Sequence, residues 1–249
     1  MFWTGKGRLI EVFDGASDVI VMDVRTHEII RSPLIESTLD RFETYPAFSE
    51  DGRWLYFCSS RAHKVPVHAD SLRYDLCRIA FDAETGTYGD TVETIIPAAE
   101  LEKSVTFPRP SYDGRWLMYC WSDFGNFPID HKEADLWLLN LETSERMPAA
   151  NANSDCTESY HNWSSDSRWF VFASRREDGL YSLLYLATID DEGNISKPFL
   201  LPQENPWQFY HSSVYSYNVP DFTCDKVEFD VHGAYDEVFC DEKQQATVR

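Results

Sequence analysis

Three stretches of this chain are copies of one pattern: FSEDGRWLYFCSSR (48–61), RPSYDGRWLMYCWS (109–122) and NWSSDSRWFVFASR (162–175). Internal repetition constrains a fold more than composition does, because each copy must solve the same burial problem. The anchors Asp51, Asp113 and Asp166 are 62 and 53 residues apart. Seven residues past each anchor stand the small residues Cys58, Cys120 and Ala173. Three residues before stand Phe48, Pro110 and Trp163. In each copy a polar turn leads into a run that is apolar at alternate positions of both parities. In the first copy Trp54, Tyr56 and Cys58 share one face, and Leu55 and Phe57 share the other. A strand with one wet face alternates; this pattern predicts strands buried on both sides. The Asp-Gly pair supplies the turn, since glycine enters backbone angles that other residues resist.

A fainter copy, WTGKGRLIEVF (3–13), opens the chain with Lys6 in the anchor place, 45 residues before Asp51. Each copy is followed by a second apolar strand: DVIVMDV from Asp18, DLCRIAF from Asp75, DLWLLNL from Asp135 and LLYLATI from Leu183. A polar turn and a weaker last strand complete each unit, most clearly in DDEGNISKPFLL. Four strands per unit, at spacings close to the ~40–50 residues of a propeller blade, predict an all-β chain. The expected architecture is a β-propeller of four-stranded antiparallel blades spanning 1–36, 42–97, 104–150 and 157–203. Only PAAELEKS (97–104) reads as briefly helical. Residues 204–222, rich in aromatics and proline, read as a strap over a blade in which Trp207, Phe209, Tyr210 and Tyr215 bury. Residues 226–240 read as a short hairpin turning at His232-Gly233, before a frayed end.

These Asp-Gly-Arg-Trp repeats resemble TolB-type propeller repeats. The wider wording, including YPAFSEDGRWLYFCSSR, GNFPIDHKEADLWLLNL and ESYHNWSSDSRWFVFASRREDGLY, is similar to TolB-like propeller proteins of Bacteroidetes-type bacteria. The resemblance covers roughly residues 3–222. It implies a periplasmic or outer-membrane-associated protein of which this chain is the C-terminal part. It brings no defining catalytic motif with it.

Composition narrows the partners. With 22 Lys plus Arg against 42 Asp plus Glu, the net charge is −20. Such a surface repels phosphate backbones and anionic membranes, which excludes nucleic acid and leaves proteins, cations or small polar ligands. No apolar run approaches the ~18–20 residues of a membrane-spanning helix, and MFWTGKGR lacks the build of a secretory signal. Of six cysteines, Cys58 and Cys120 sit where the third repeat has Ala173, so they read as small core residues; Cys224 and Cys240 in the tail are candidates to pair. The sequons at Asn162 and Asn194 carry no weight, the first falling within an inner strand.

With strands named a to d from the centre outward, the a–b turns lie on one face of the disc. The b–c loops and d–a connections lie on the other. The extra residues of this sequence are in the b–c loops: 59–75, 122–135 and the shorter 174–181. Loops gathered on one face of a rigid scaffold are where binding is expected. Ligand-binding candidates there are Arg61, Asn126, His131, Tyr160, His161, Arg175 and Arg176, with His63, His68 and Asp130 nearby. The bland alternative is that the arginines only neutralise neighbouring carboxylates. No catalytic residue and no cofactor is assigned. A Gly-x-Ser-x-Gly elbow, a His-Glu-x-x-His pair and a phosphate loop are all missing from the sequence. The enzymatic alternative is a carbohydrate-active propeller, a lyase or hydrolase, holding a divalent metal with His131, His161, Gln208 and His211. The Asp190–Asp191 pair reads as a turn former. Four blades leave two open faces, so self-association through open blade edges is expected.

Overall fold

Strands that are apolar on both faces need a sheet on either side, and the computed structural model supplies it. The structure describes residues 17–35, 40–62, 69–125, 127–212, 215–239 and 247–248. The first sheet contains β1 (Val21–Asp23) and β2 (Glu28–Ile30). The second is β3 (Arg41–Phe48), β4 (Trp54–Arg61), β5 (Asp75–Asp82) and β6 (Thr87–Ile96). The third is β7 (Ser104–Pro110), β8 (Trp116–Ser122), β9 (Asp135–Asn140) and β10 (Arg146–Pro148). The fourth is β11 (Glu158–Trp163), β12 (Trp169–Ser174), β13 (Leu183–Thr188) and β14 (Phe199–Leu200). The last three are antiparallel meanders with strands in chain order, as propeller blades are. The front of the first predicted blade, residues 1–16, lies outside the described residues.

Packing explains the doubly apolar runs. On β8, Leu117 and Tyr119 pack against Tyr56, Cys58 and Leu76 of the second blade. Met118 and Cys120, pointing the other way, pack against Phe170, Phe172 and Tyr185 of the fourth. Leu55 and Phe57 of β4 turn back towards Val19 and Ile35. These interfaces are therefore predominantly apolar, and Cys58, Cys120 and Ala173 are all fully buried.

The conserved-looking wording of the repeats builds one turn three times. Ser49, Ser111 and Ser164 each donate to the anchor carboxylate, at 2.6, 2.7 and 2.6 Å. Each serine Oγ also accepts from the tryptophan amide that opens strand b, at 3.0 Å in all three. The carboxylates accept in turn from the Arg53, Arg115 and Arg168 amides. Asp51 and Asp166 are held below the usual carboxylate range by the serine hydroxyl first and the backbone N–H second. Gly52 and Gly114 take φ of 68° and 71° there; Ser167 takes 58° in the third copy.

A second repeated device lies in the inner strands. Tyr45, Phe107 and Tyr160 occupy equivalent positions and all have positive φ, of 54°, 52° and 50°. Each sits at a break in the a–b register, between Thr44 and Ala47, Thr106 and Arg109, and Ser159 and Asn162. These are β-bulges, which bend a strand and re-aim its side chains. The rings pack in series, Tyr45 tilted on Phe107 at 4.2 Å and Phe107 edge-to-face with Tyr160 at 4.6 Å between centroids. Left-handed backbone costs a non-glycine residue about 1 kcal/mol; the aromatic contacts offset it.

The tail departs from expectation. Over the described part of the expected hairpin, 226–239, the chain forms none: Val231–Phe239 is a helix, α2, following a second short helix, α1 (Pro206–Ser212). Asp230 Oδ1 accepts from the His232 and Gly233 amides at 3.1 and 3.0 Å, capping α2, so the expected turn pair forms its first turn instead. The strap is tied to the fourth blade, with the Tyr217 amide donating to the Ser182 carbonyl at 2.9 Å. Tyr210 and Tyr217 pack on that blade, but Trp207 and Tyr215 are exposed. Cys224 is a free exposed thiol, and Cys240 lies outside the described residues. The last element, β15 (Thr247–Val248), pairs in parallel with β2. Among the described residues no helix is long and apolar enough to cross a membrane.

The tryptophans that open strand b report how the blades stack. Trp116 is 3% exposed, lying against Gly193 in the c–d turn of the following blade; Trp169, with no sheet after it, is 38% exposed beside Phe199. A Cβ at Gly193 would stand 2.7 Å from the Trp116 ring, on a backbone with φ of +87°. Gly193→Ala is expected to cost about 2–4 kcal/mol in urea unfolding, through overpacking plus backbone strain. Gly114→Ala meets nothing within 4 Å and carries only the backbone cost of about 1 kcal/mol. Equal losses for the two variants would contradict this packing.

Candidate functional site

On the b–c face the third and fourth blades enclose a cleft of about 580 Å³. Its walls come from the b–c loop of each blade and from the connection that enters β11. Asp130, Lys132, Cys156, Arg175 and Arg176 line it. Arg175 and Arg176 follow directly on the last residue of β12, so the strand fixes their backbone while their side chains reach the rim.

The two arginines are held differently. Arg175 faces Asp130, with Nη2 3.4 Å from Oδ1, and Nε lies 3.4 Å from Ser182 Oγ. Arg176 is clamped: Nε donates to Ser174 Oγ at 3.0 Å, and Nη2 to Glu158 Oε1 at 3.1 Å and to the Ala152 carbonyl. Its guanidinium lies 4.4 Å from the Tyr185 ring centroid. The contact adds cation–π attraction to the ion pair.

Glu158, which the sequence reading passed over, is the hub beneath the cleft. It is fully buried. Ser154 Oγ and Ser174 Oγ donate to Oε1 at 2.6 and 2.7 Å, and the Ser154 amide donates to Oε2 at 2.9 Å. Burial raises its pKa, against the pull of these donors. Asp135 is pushed up to about 6, first by burial and then by the Glu158 charge. The signal was present in the repeats: Glu43, at the equivalent position of the second blade, is also buried and accepts from Ser59, the counterpart of Ser174.

The other candidates are scattered. His131 packs edge-on against Phe124 at 4.6 Å, with Nδ1 3.3 Å from Glu133. Tyr160 is the bulge aromatic of β11, largely buried, its pKa raised by burial. His161 is inside the interface between the third and fourth blades rather than at a channel mouth. Its Nε2 lies 3.0 Å from the Met118 carbonyl oxygen and its Nδ1 3.8 Å from Cys120 Sγ. A carbonyl only accepts, so Nε2 carries the proton. Burial pulls the His161 pKa down to about 3 and keeps the ring neutral. Arg61 ends β4, exposed, beside a separate cleft. Asn126, His63 and His68 lie outside the described residues.

The four residues considered for a metal fall in three separate places. His161 is buried against Met118, His131 lies on its loop, and His211 stacks on Trp207 within α1, where Gln208 also resides. Among the described residues no three His, Cys, Asp or Glu side chains group as a metal site.

No family model matches this chain, and no curated protein does. Solved structures do. An oligogalacturonate lyase in complex with manganese matches at 16% identity and TM-score 0.48, over 73% of this chain and 46% of that one. Prolyl oligopeptidase B from Galerina marginata, bound to a 35mer hydrolysis and macrocyclization substrate, matches at 11% and 0.44, over 69% and 24%. A puromycin-hydrolyzing peptidase from Mycobacterium tuberculosis matches at 10% and 0.46, over 74% and 28%. This chain spans less than half the length of each. Likeness this distant assigns neither reaction nor ligand, and the propeller reading rests on the sheet topology itself.

The state of His161 has a measurable consequence. Its folded pKa, about 3, lies below the ordinary 6.5, so the unfolded chain takes up the proton first. Stability from this group is therefore complete above pH 6.5 and is lost as pH falls towards 3, at roughly 1.4 kcal/mol per pH unit. Asp135 and Glu158, with raised values, act in the opposite sense. The difference in urea stability between wild type and His161→Asn should shrink steadily from pH 7 to 4.5. A difference independent of pH would mean an imidazole with an unshifted pKa, and one that grows as pH falls would mean a charged imidazole.

Proposed function

We propose that this chain is a TolB-like propeller module that binds a protein or small polar ligand on its b–c loop face without transforming it. We place it in the bacterial envelope, at the periplasm or outer membrane, on the strength of the repeat wording. One observation carries the binding role: two arginines are held in place on the rim of the cleft between the third and fourth blades, where Lys132 stands beside Asp130, Glu177 and Asp178. Arg176 is immobilised by Glu158, Ser174 and Tyr185, and Arg175 by Asp130 and Ser182. Donors held in place before a ligand arrives lose little freedom on binding, which favours recognition. Two buried titratable groups beneath the face are engaged in structure: His161 with Met118, and Glu158 with two serines and an arginine.

The test is binding to arrays of oligosaccharides and of peptides, by wild type and by Lys132→Ala/Arg175→Ala. Wild type should bind saturably and leave the bound molecule's mass unchanged. The variant should bind about tenfold more weakly, the loss of a charged hydrogen bond. Its melting temperature should stay within about 2 °C, as for most surface changes. Conversion of the bound molecule by wild type on addition of a divalent metal would contradict the proposal and favour the carbohydrate-active enzyme.

A further inference from the structure

A second cleft, of about 530 Å³, opens on the same face in the second blade. Three guanidiniums line it, from Arg41, Arg61 and Arg73. Arg41 and Arg61 are direct cross-strand partners at the ends of β3 and β4. Like charges placed opposite each other on an antiparallel ladder repel, and the repeat shows the ordinary solution. In the third blade the equivalent positions hold Lys103 and Asp123, which form an ion pair. The second blade has a cation at both places.

The remaining contacts sharpen the point. Arg41 is tied to Ser59 Oγ, through Nε at 3.0 Å and Nη2 at 2.7 Å, and its Nε lies 3.6 Å from Glu43. Arg61 has no ion pair among the described residues. Arg73 donates from Nη1 to the Asp70 carbonyl at 3.2 Å, and has no carboxylate partner there either. Its Nε is buried with no acceptor. A buried N–H in that state is costly until an ordered water or a ligand supplies the missing acceptor, and this one lines the cleft. Among the described residues two guanidiniums at one cleft thus lack a direct ion pair, although Asp75, Glu100 and Glu102 line the same cleft.

We propose that this cleft binds an oxyanion, a carboxylate or a phosphate group, between Arg61 and Arg73, with Arg41 completing the positive wall. Planar guanidinium forks suit both groups, since each presents paired oxygens. The nearby acids limit which anions enter. Asp75 Oδ1 is occupied by the Ala99 amide at 2.8 Å. Glu100 and Glu102 stand exposed on the rim. Together with the net charge of −20 they disfavour ligands that are anionic throughout, and favour an oxyanion carried on a neutral or cationic body. The site names a ligand chemistry for one part of the face proposed above for recognition, yet its test needs neither a partner nor the cleft of the other blades.

The experiment follows the arginine Nε–H resonances of the ¹⁵N-labelled full chain during titration with sodium acetate, and separately with inorganic phosphate. Sodium chloride holds the ionic strength constant. The Arg61 and Arg73 signals should shift saturably with at least one anion, and the stronger binder identifies carboxylate or phosphate as the ligand type. Arg61→Gln/Arg73→Gln should weaken binding about tenfold or more, the worth of charged hydrogen bonds. Arg25→Gln, at a largely exposed arginine of the first sheet, should leave it unchanged. Should the double variant fail to fold, Arg61→Gln alone alters an exposed side chain and is held to a measurable weakening. Shifts that stay linear with both anions, or saturable binding that the arginine variants retain, would overturn the proposal. That result would leave the rim of the other cleft untouched.

Discussion

The second, third and fourth sheets are apolar on both sides, and that forces sheets to stack face to face with other sheets. The alternation along β8 shows it most plainly: Leu117 and Tyr119 serve one interface, Met118 and Cys120 the other. A flat stack would satisfy burial equally well. The blades also meet at their inner strands, where Tyr45, Phe107 and Tyr160 adopt the left-handed region at the bulges and their rings pack in series. Because the sheets are committed to packing, chemistry is left to the loops, and those on the b–c side line the two clefts described above.

There the repeat works as a frame with interchangeable fittings. At one pair of equivalent positions the second blade holds Arg41 and Arg61, the third Lys103 and Asp123, the fourth Cys156 and Arg176. Only the third pair neutralises itself. In the fourth, the buried Glu158 takes over the role of counterion from the strand next to Arg176. The outcome is an acidic molecule with localised cationic fittings facing two clefts. Such contrast suits recognition of a group that would be repelled elsewhere on the surface.

Much of the fold was legible because it is written three times. The strand pairs, the serine-closed turns and the burial of Cys58 and Cys120 follow from repetition plus two-faced hydrophobicity. The bulges were not legible, since a tyrosine or phenylalanine in a strand says nothing of its φ. His161 was misplaced for the same reason: after a bulge the alternation no longer says which way a side chain points, and this one turns into the core. Glu158 escaped notice because a glutamate at a strand start reads as solvated, until its match with Glu43 is seen. The tail was misread at His232-Gly233, where a turn-forming pair became the first turn of a helix once Asp230 capped it. Arg61 was a candidate from loop position alone; the opposed Arg41 and the buried Arg73 Nε emerge only from the strand register and the packing.

The inner-strand stack is the most direct point of attack on this account, through a double-mutant cycle on Phe107→Leu and Tyr160→Leu in urea unfolding. Rings 4.6 Å apart at 82°, contributed by neighbouring blades, predict a coupling energy of about 0.5–1.5 kcal/mol. Strictly additive losses would mean that these strands do not meet at a common axis, and the placement of both clefts on one face would fall with them.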